Sequence, residues 1–175
     1  MAAERFVDEL NAQIGRELGA SHQYVAVAVY YDALTLPQLA AFFFRQALEE
    51  RDHAMMMVQY LLDAGATPTI PGVDAPKSGF PDIAEPIRIA LEQERKVTDQ
   101  ISSLSAAARD SNDYVSAQFM QWFLKEQVEE VATMSDLLAV AERSIDRPME
   151  IEDYLAREQP ADDGADPTAP PVAGA

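Results

Sequence analysis

The chain has 175 residues, a formal charge of −17, 48% hydrophobic residues and no cysteine. That is enough apolar material for one folded domain with its own core, and it excludes disulfides, thiolate metal sites and cysteine nucleophiles. The acidic excess disfavours nucleic acid and anionic membrane and favours cations as partners; the lack of a signal pattern or a long apolar run makes a cytoplasmic protein the expectation. From residue 4 to 33, Phe6, Leu10, Ile14, Leu18, Tyr24, Ala28 and Tyr31 recur at helical spacing. Thr35 and Gln38 fit a capping box around Pro37, which predicts a second helix from about residue 37 to 64, closed by Gly65. Residues 65–81, GATPTIPGVDAPKSGFP, hold four prolines and three glycines and predict a long non-helical connection. A third helix is predicted over about 83–109 and a fourth over about 113–144, with DSND between them as turn and N-cap. DRP at 146–148 breaks the chain again, and a short fifth helix is predicted to end near residue 157.

The connections therefore run short, long, short. Short links join antiparallel neighbours, and the long one crosses the bundle from end to end, so helices two and three should run parallel. The expectation is an all-α four-helix bundle with one long crossover and a short fifth helix, one domain spanning 1–157. Residues 158–175 have Val172 as their only large apolar side chain and are expected to form a flexible acidic, Pro/Ala-rich tail.

Polar groups interrupt the apolar stripes in a repeated pattern. Glu17 lies mid-way along helix one, and Glu50 and His53 lie three residues apart in helix two. Glu94 lies on the stripe of Ile87, Leu91 and Ile101, and Gln127 and Glu130 are three apart in helix four. Glu17 to Glu50 and Glu94 to Gln127 are both separations of 33 residues. Two helical hairpins thus offer equivalent polar groups to one point inside the core. Isolated buried carboxylates cost several kcal/mol each, and four at one centre repel one another; divalent cations relieve both problems. Carboxylates with one imidazole and no thiolate suit iron(II) or manganese, and zinc could occupy such a site too. Met55, Met56 and Met57 read as core filling, and His22 as surface or interface.

These segments, GRELGASHQYVA, LEERDHAMM, ALEQERKVTDQI and FMQWFLKEQVEEVA, together with IPGV in the crossover, resemble the non-haem bacterial ferritins. The resemblance covers roughly residues 5–157 and implies a di-iron ferroxidase centre. Glu17, Glu50 and His53 would hold one iron, with Glu50 bridging; Glu50, Glu94 and Glu130 would hold the second, with Gln127 close by. Glu49, Glu126, Glu129 and Glu130 would form a third iron site. Tyr24 and Trp122 would lie near the centre as electron donors. Arg51 occupies the position where bacterioferritins carry a haem-ligating methionine, so no haem is expected. The second hairpin lacks the histidine that bacterioferritins and rubrerythrins repeat, which suits a centre through which iron passes on its way to storage.

The implied function is iron storage and detoxification: iron(II) oxidised by dioxygen or peroxide and deposited as mineral in a homo-oligomeric 24-mer shell. The alternatives are a rubrerythrin-like di-iron oxidoreductase or peroxidase working as a small oligomer, and a purely structural bundle. The short fifth helix favours the shell.

Overall fold

The computed structural model describes residues 2–158 and 166–174. Five helices follow in order: α1 (Glu4–Ala33), α2 (Pro37–Asp63), α3 (Glu85–Asp110), α4 (Tyr114–Arg143) and α5 (Pro148–Glu158). Among the described residues there is no strand. Each helix sits within two residues of its expected place. Asp113 caps α4 by accepting the Ser116 backbone N–H at 3.1 Å, as its position predicts.

Side-chain pairs along the helices give their directions. Phe6 meets Tyr60 and Tyr24 meets Phe43, so α1 and α2 are antiparallel. Arg88 meets Glu142 and Thr98 meets Gln127, so α3 and α4 are antiparallel. The Tyr31 hydroxyl donates to the Ile83 carbonyl while Tyr24 reaches Glu94, so α1 and α3 are also antiparallel. It follows that α2 and α3 run parallel, as the long crossover requires.

The crossover lies along α1. Thr69 N–H donates to Asn11 Oδ1 at 2.7 Å, and Gln23 bonds both the N–H and the carbonyl of Lys77. Between these ties Pro71 rests on Gly15: a Cβ at that glycine would stand 2.5 Å from the proline Cγ. Only a residue without a side chain lets the IPGV segment approach so closely.

The start of α2 departs from expectation. Thr35 lies in the turn leaving α1 with φ of 61°, and Leu36 is the N-cap, with no side-chain cap of its own. The Thr35–Gln38 capping box therefore does not form. Instead Glu152 of α5, itself buried, accepts the N–H groups of Gln38 at 2.8 Å and Leu39 at 2.9 Å. Pro37 has no N–H, so these are the first donors that α2 leaves open, and a carboxylate there also meets the positive end of the helix dipole. The fifth helix is thereby tied to the bundle by a charged cap as well as by Ile151 and Leu155.

Two apolar clusters fill the bundle. One, towards α5, contains Tyr31, Leu39, Phe43, Ile87, Leu137 and Ile151. The other, towards the chain's N-terminus, contains Phe6, Leu10, Met57, Leu61, Ile101 and Phe123. Met56 and Met57 are buried and Met55 packs beside them, in keeping with core filling. Each cluster is closed by helix faces whose apolar residues recur every three or four positions. Between the clusters all four long helices turn polar side chains inward.

Residues 159–165, in the first part of the expected tail, lie outside the described residues. Residues 166–174 are packed against the bundle: Ala169, Val172 and Ala173 contact the second cluster, and Ala173 N–H donates to the Met55 carbonyl at 3.2 Å.

Candidate metal centre

The polar layer consists of Gln13, Glu17, Gln46, Glu50, His53, Glu94, Gln127 and Glu130, all buried. Each stands on the same face as the apolar residues one turn before and after it, so the packing that buries the stripe also buries the carboxylate. All six core positions expected from the 33-residue repeat fall in this layer, and Tyr24 is buried beside them.

Glu17, Glu50 and His53 converge most closely. Each offers one ligand atom, and these atoms lie within 4.8 Å of one another. Glu50 Oε2 stands 3.6 Å from His53 Nδ1, too far for a good hydrogen bond and suitable for a shared ion. On the other hairpin, Glu94 accepts a short hydrogen bond from the Tyr24 hydroxyl, and Gln127 Oε1 accepts from the Thr98 hydroxyl at 3.0 Å.

Three carboxylate oxygens are orphaned. Glu17 Oε2, Glu50 Oε2 and Glu94 Oε2 are buried and have no hydrogen-bond partner among the described residues. Native cores rarely leave such atoms unsatisfied. Without a cation, burial and mutual repulsion favour the protonated form of these carboxylates. Burial first, then the neighbouring Glu50 charge, pushes Glu17 well above the usual carboxylate range. Burial and the Glu94 charge do the same to Glu50, and burial with the charges of Glu49 and Glu94 does so to Glu130. Glu94 is raised by burial to about 7. Burial followed by the Glu94 and Glu50 charges also pushes the Tyr24 phenol upward, which keeps it a donor. A divalent cation would satisfy the orphaned oxygens directly, and carboxylates with one imidazole fit a metal such as iron(II).

Glu49, Glu126 and Glu129 do not join this cluster. Glu49 accepts from Gln46 Nε2 at 2.6 Å, while Glu126 and Glu129 each stand 3.7 Å from Lys125 Nζ. Glu129 is exposed and the other two are half-buried. With Glu130 and Gln46 they line a cavity of about 520 Å³ that opens between α2, α4 and α5. Arg51 is exposed and paired with Asp52 at 3.2 Å, and His22 is exposed on α1.

Three polar residues around the centre have no place in the sequence argument. Gln13 Nε2 donates to Glu17 Oε1 at 2.8 Å and is itself held by Arg16. Gln46 orients Glu49, and Thr98 orients Gln127. Their signal was available for Gln13 and Gln46: each is a polar residue on an apolar stripe, four positions before a buried glutamate.

The ferritin-like domain family matches residues 7–144. The chain is 54% identical over 162 residues to ferritin BfrB of Mycolicibacterium smegmatis, covering 93% of this chain and 89% of that protein. It is 40% identical over 132 residues to the bacterial non-heme ferritin of Staphylococcus aureus, covering 75% and 80% respectively. Among solved structures it is similar to the open pore ferritin of Archaeoglobus fulgidus, with a TM-score of 0.86 at 26% identity, over 90% of this chain and 97% of that one.

Proposed function

The chain belongs to the ferritin family, and on that premise we propose that it oxidises iron(II) with dioxygen or peroxide and deposits iron(III) as mineral inside a 24-subunit shell. Iron storage is the general function that its relatives support. The observation that supports the finer reading is the convergence of Glu17 and Glu50 with His53, in a buried layer where Glu17, Glu50 and Glu94 each leave one carboxylate oxygen without a partner among the described residues. Iron is here substrate and cargo. Two iron(II) ions supply the two electrons that take dioxygen to the level of peroxide.

The residues divide the work by position. Glu17, Glu50 and His53 bind the first iron. Glu50 faces both hairpins and bridges to a second iron held by Glu94 and Glu130, with Gln127 alongside. Binding displaces the protons that burial holds on these carboxylates, so uptake releases protons. Tyr24 donates to Glu94 and Trp122 packs on His53, and both stand where they can give up an electron. Glu49, Glu126, Glu129 and Glu130 form the third iron site at the cavity beside the centre, where Lys125 stands near Glu126 and Glu129. Arg51, facing outward, leaves no haem ligand at its position. Among the described residues no helix is long and apolar enough to cross a membrane, and a cytoplasmic storage particle is the reading we favour.

Aerobic loading of the full chain with iron(II), followed by sizing and iron counting, tests this. The expected result is fast oxidation, a particle of 24 chains and many irons per subunit retained in it. Dimers with only two tightly held irons would instead make it a small di-iron oxidoreductase.

A further inference from the structure

Trp122 is the only tryptophan in the chain, and it stands between the metal centre and the C-terminal segment. On one side its ring meets the His53 imidazole edge-to-face, at 5.7 Å between centroids and 76° between planes. On the other side its indole Nε1–H donates to Asp166 Oδ2 at 3.0 Å. Asp166 is held in turn by its own turn: Oδ1 accepts the Thr168 backbone N–H at 2.8 Å and the Thr168 hydroxyl at 2.7 Å. Three to seven residues on, Ala169, Val172 and Ala173 rest on the second apolar cluster and Ala173 N–H is tied to the Met55 carbonyl. The segment therefore straps α4 to α2, with one tie on each helix, over the flank of His53.

We propose that this strap is a positioning element for the metal centre, and that Asp166 is its key residue: by accepting the Trp122 N–H it holds the indole against His53 and so fixes the imidazole towards Glu17 and Glu50. The inference rests on the ferroxidase reading above. His53 has a second aromatic neighbour, Phe123, at 5.8 Å, which keeps the imidazole inside the core in any case. What Trp122 adds is a second wall on the ring, and that wall depends on a hydrogen bond from outside the bundle. A bond near solvent is modest in strength, so its loss loosens the ligand without emptying the site. Partners that orient a metal-ligating histidine are worth about tenfold or more in affinity; Asp166 acts one step further out, and about threefold to tenfold is expected.

The lone tryptophan makes the test direct. In the assembled full-length protein, Asp166→Ala should raise acrylamide quenching of Trp122 fluorescence by about twofold or more. It should also raise the iron(II) concentration for half-maximal oxidation by the same threefold to tenfold, and weaken cobalt(II) binding in parallel. In a Trp122→Phe background, Asp166→Ala should change neither metal measurement further, because the link it acts through is gone. A strap that merely stabilises the fold would lower the melting temperature equally in both backgrounds and leave this non-additivity absent. Wild-type quenching in Asp166→Ala, or an equal loss of metal affinity with and without Trp122, overturns the proposal. Failure of the wild type to oxidise iron(II) would count against the ferroxidase reading, and the cobalt(II) and quenching arms would still judge the strap.

Discussion

In the α1–α2 hairpin, Glu17, Glu50 and His53 bring three ligand atoms within 4.8 Å of one another. In the α3–α4 hairpin, the matching positions Glu94, Gln127 and Glu130 are equally buried, with Glu94 held by Tyr24 and Gln127 by Thr98, much as Gln13 holds Glu17 in the first hairpin. The repeat of spacing is the same and the ligand sets are not. One half offers two carboxylates and an imidazole aimed at a point. The other offers two carboxylates and an amide, whose oxygen is a weaker ligand than a carboxylate's. Under the proposed function this difference would make the two iron positions unequal, the first hairpin capturing and the second holding loosely enough to let iron move on.

The largest effect is expected from disabling the first hairpin. Glu50→Ala or His53→Ala should slow aerobic iron(II) oxidation by about tenfold or more, since each removes a direct ligand. The apo bundle should keep its melting temperature or gain, because Glu50→Ala removes a carboxylate whose charge burial opposes. Wild-type rates in either variant would sink the assignment of the centre.

Making the halves alike should remove the asymmetry. The double variant Gln127→Glu, Glu130→His gives α4 the Glu-x-x-His order of α2. It should slow loss of the second iron to a chelator by about tenfold. Unchanged release would mean that the ligand order in α4 does not set the asymmetry.

A smaller effect is expected outside both halves. Glu49→Ala or Glu126→Ala should leave the first fast oxidation phase within about twofold of wild type while the third iron per subunit is lost. Abolition of the fast phase by either would move those carboxylates into the primary centre.

The smallest effect is a pH dependence. Glu94 titrates at about 7 in the folded chain, raised by burial, against about 4.3 for an unfolded glutamate. Between those values the folded chain keeps a proton that the unfolded chain has released, so stability falls as pH rises through the window. The apo protein should melt lower at pH 8 than at pH 5, and Glu94→Gln should flatten part of that slope. A melting temperature that rises with pH over the same range would contradict the buried-carboxylate account.

Much of this was legible in the sequence because two periodicities coincide. The helical stripes of Phe6, Leu10, Ile14 and their counterparts place the helices, and polar residues on those same stripes have to be buried with them. That is why Glu17, Glu50, His53, Glu94, Gln127 and Glu130 could be picked out and are found in one layer. What escaped depends on contacts between distant segments. The cap on α2 comes from Glu152, more than a hundred residues away, where a local reading offered only Thr35. The strap escaped for a related reason. Residues 166–174 carry little apolar surface, yet small alanines and one valine suffice to lie in a seam already built, and the hydrogen bond from Trp122 needs only a carboxylate that reaches it. Gln13 was visible as a polar interruption of a stripe, but without a partner its role could not be named.

The order of capture separates the two hairpins. Anaerobic iron(II) soaked into crystals at increasing concentration, followed by anomalous diffraction at the iron edge, measures it directly. The first peak to fill should lie between Glu17, Glu50 and His53, with a weaker second peak between Glu50, Glu94 and Glu130. A first peak among Glu49, Glu126 and Glu129, or equal filling of the two inner positions at every concentration, would contradict it.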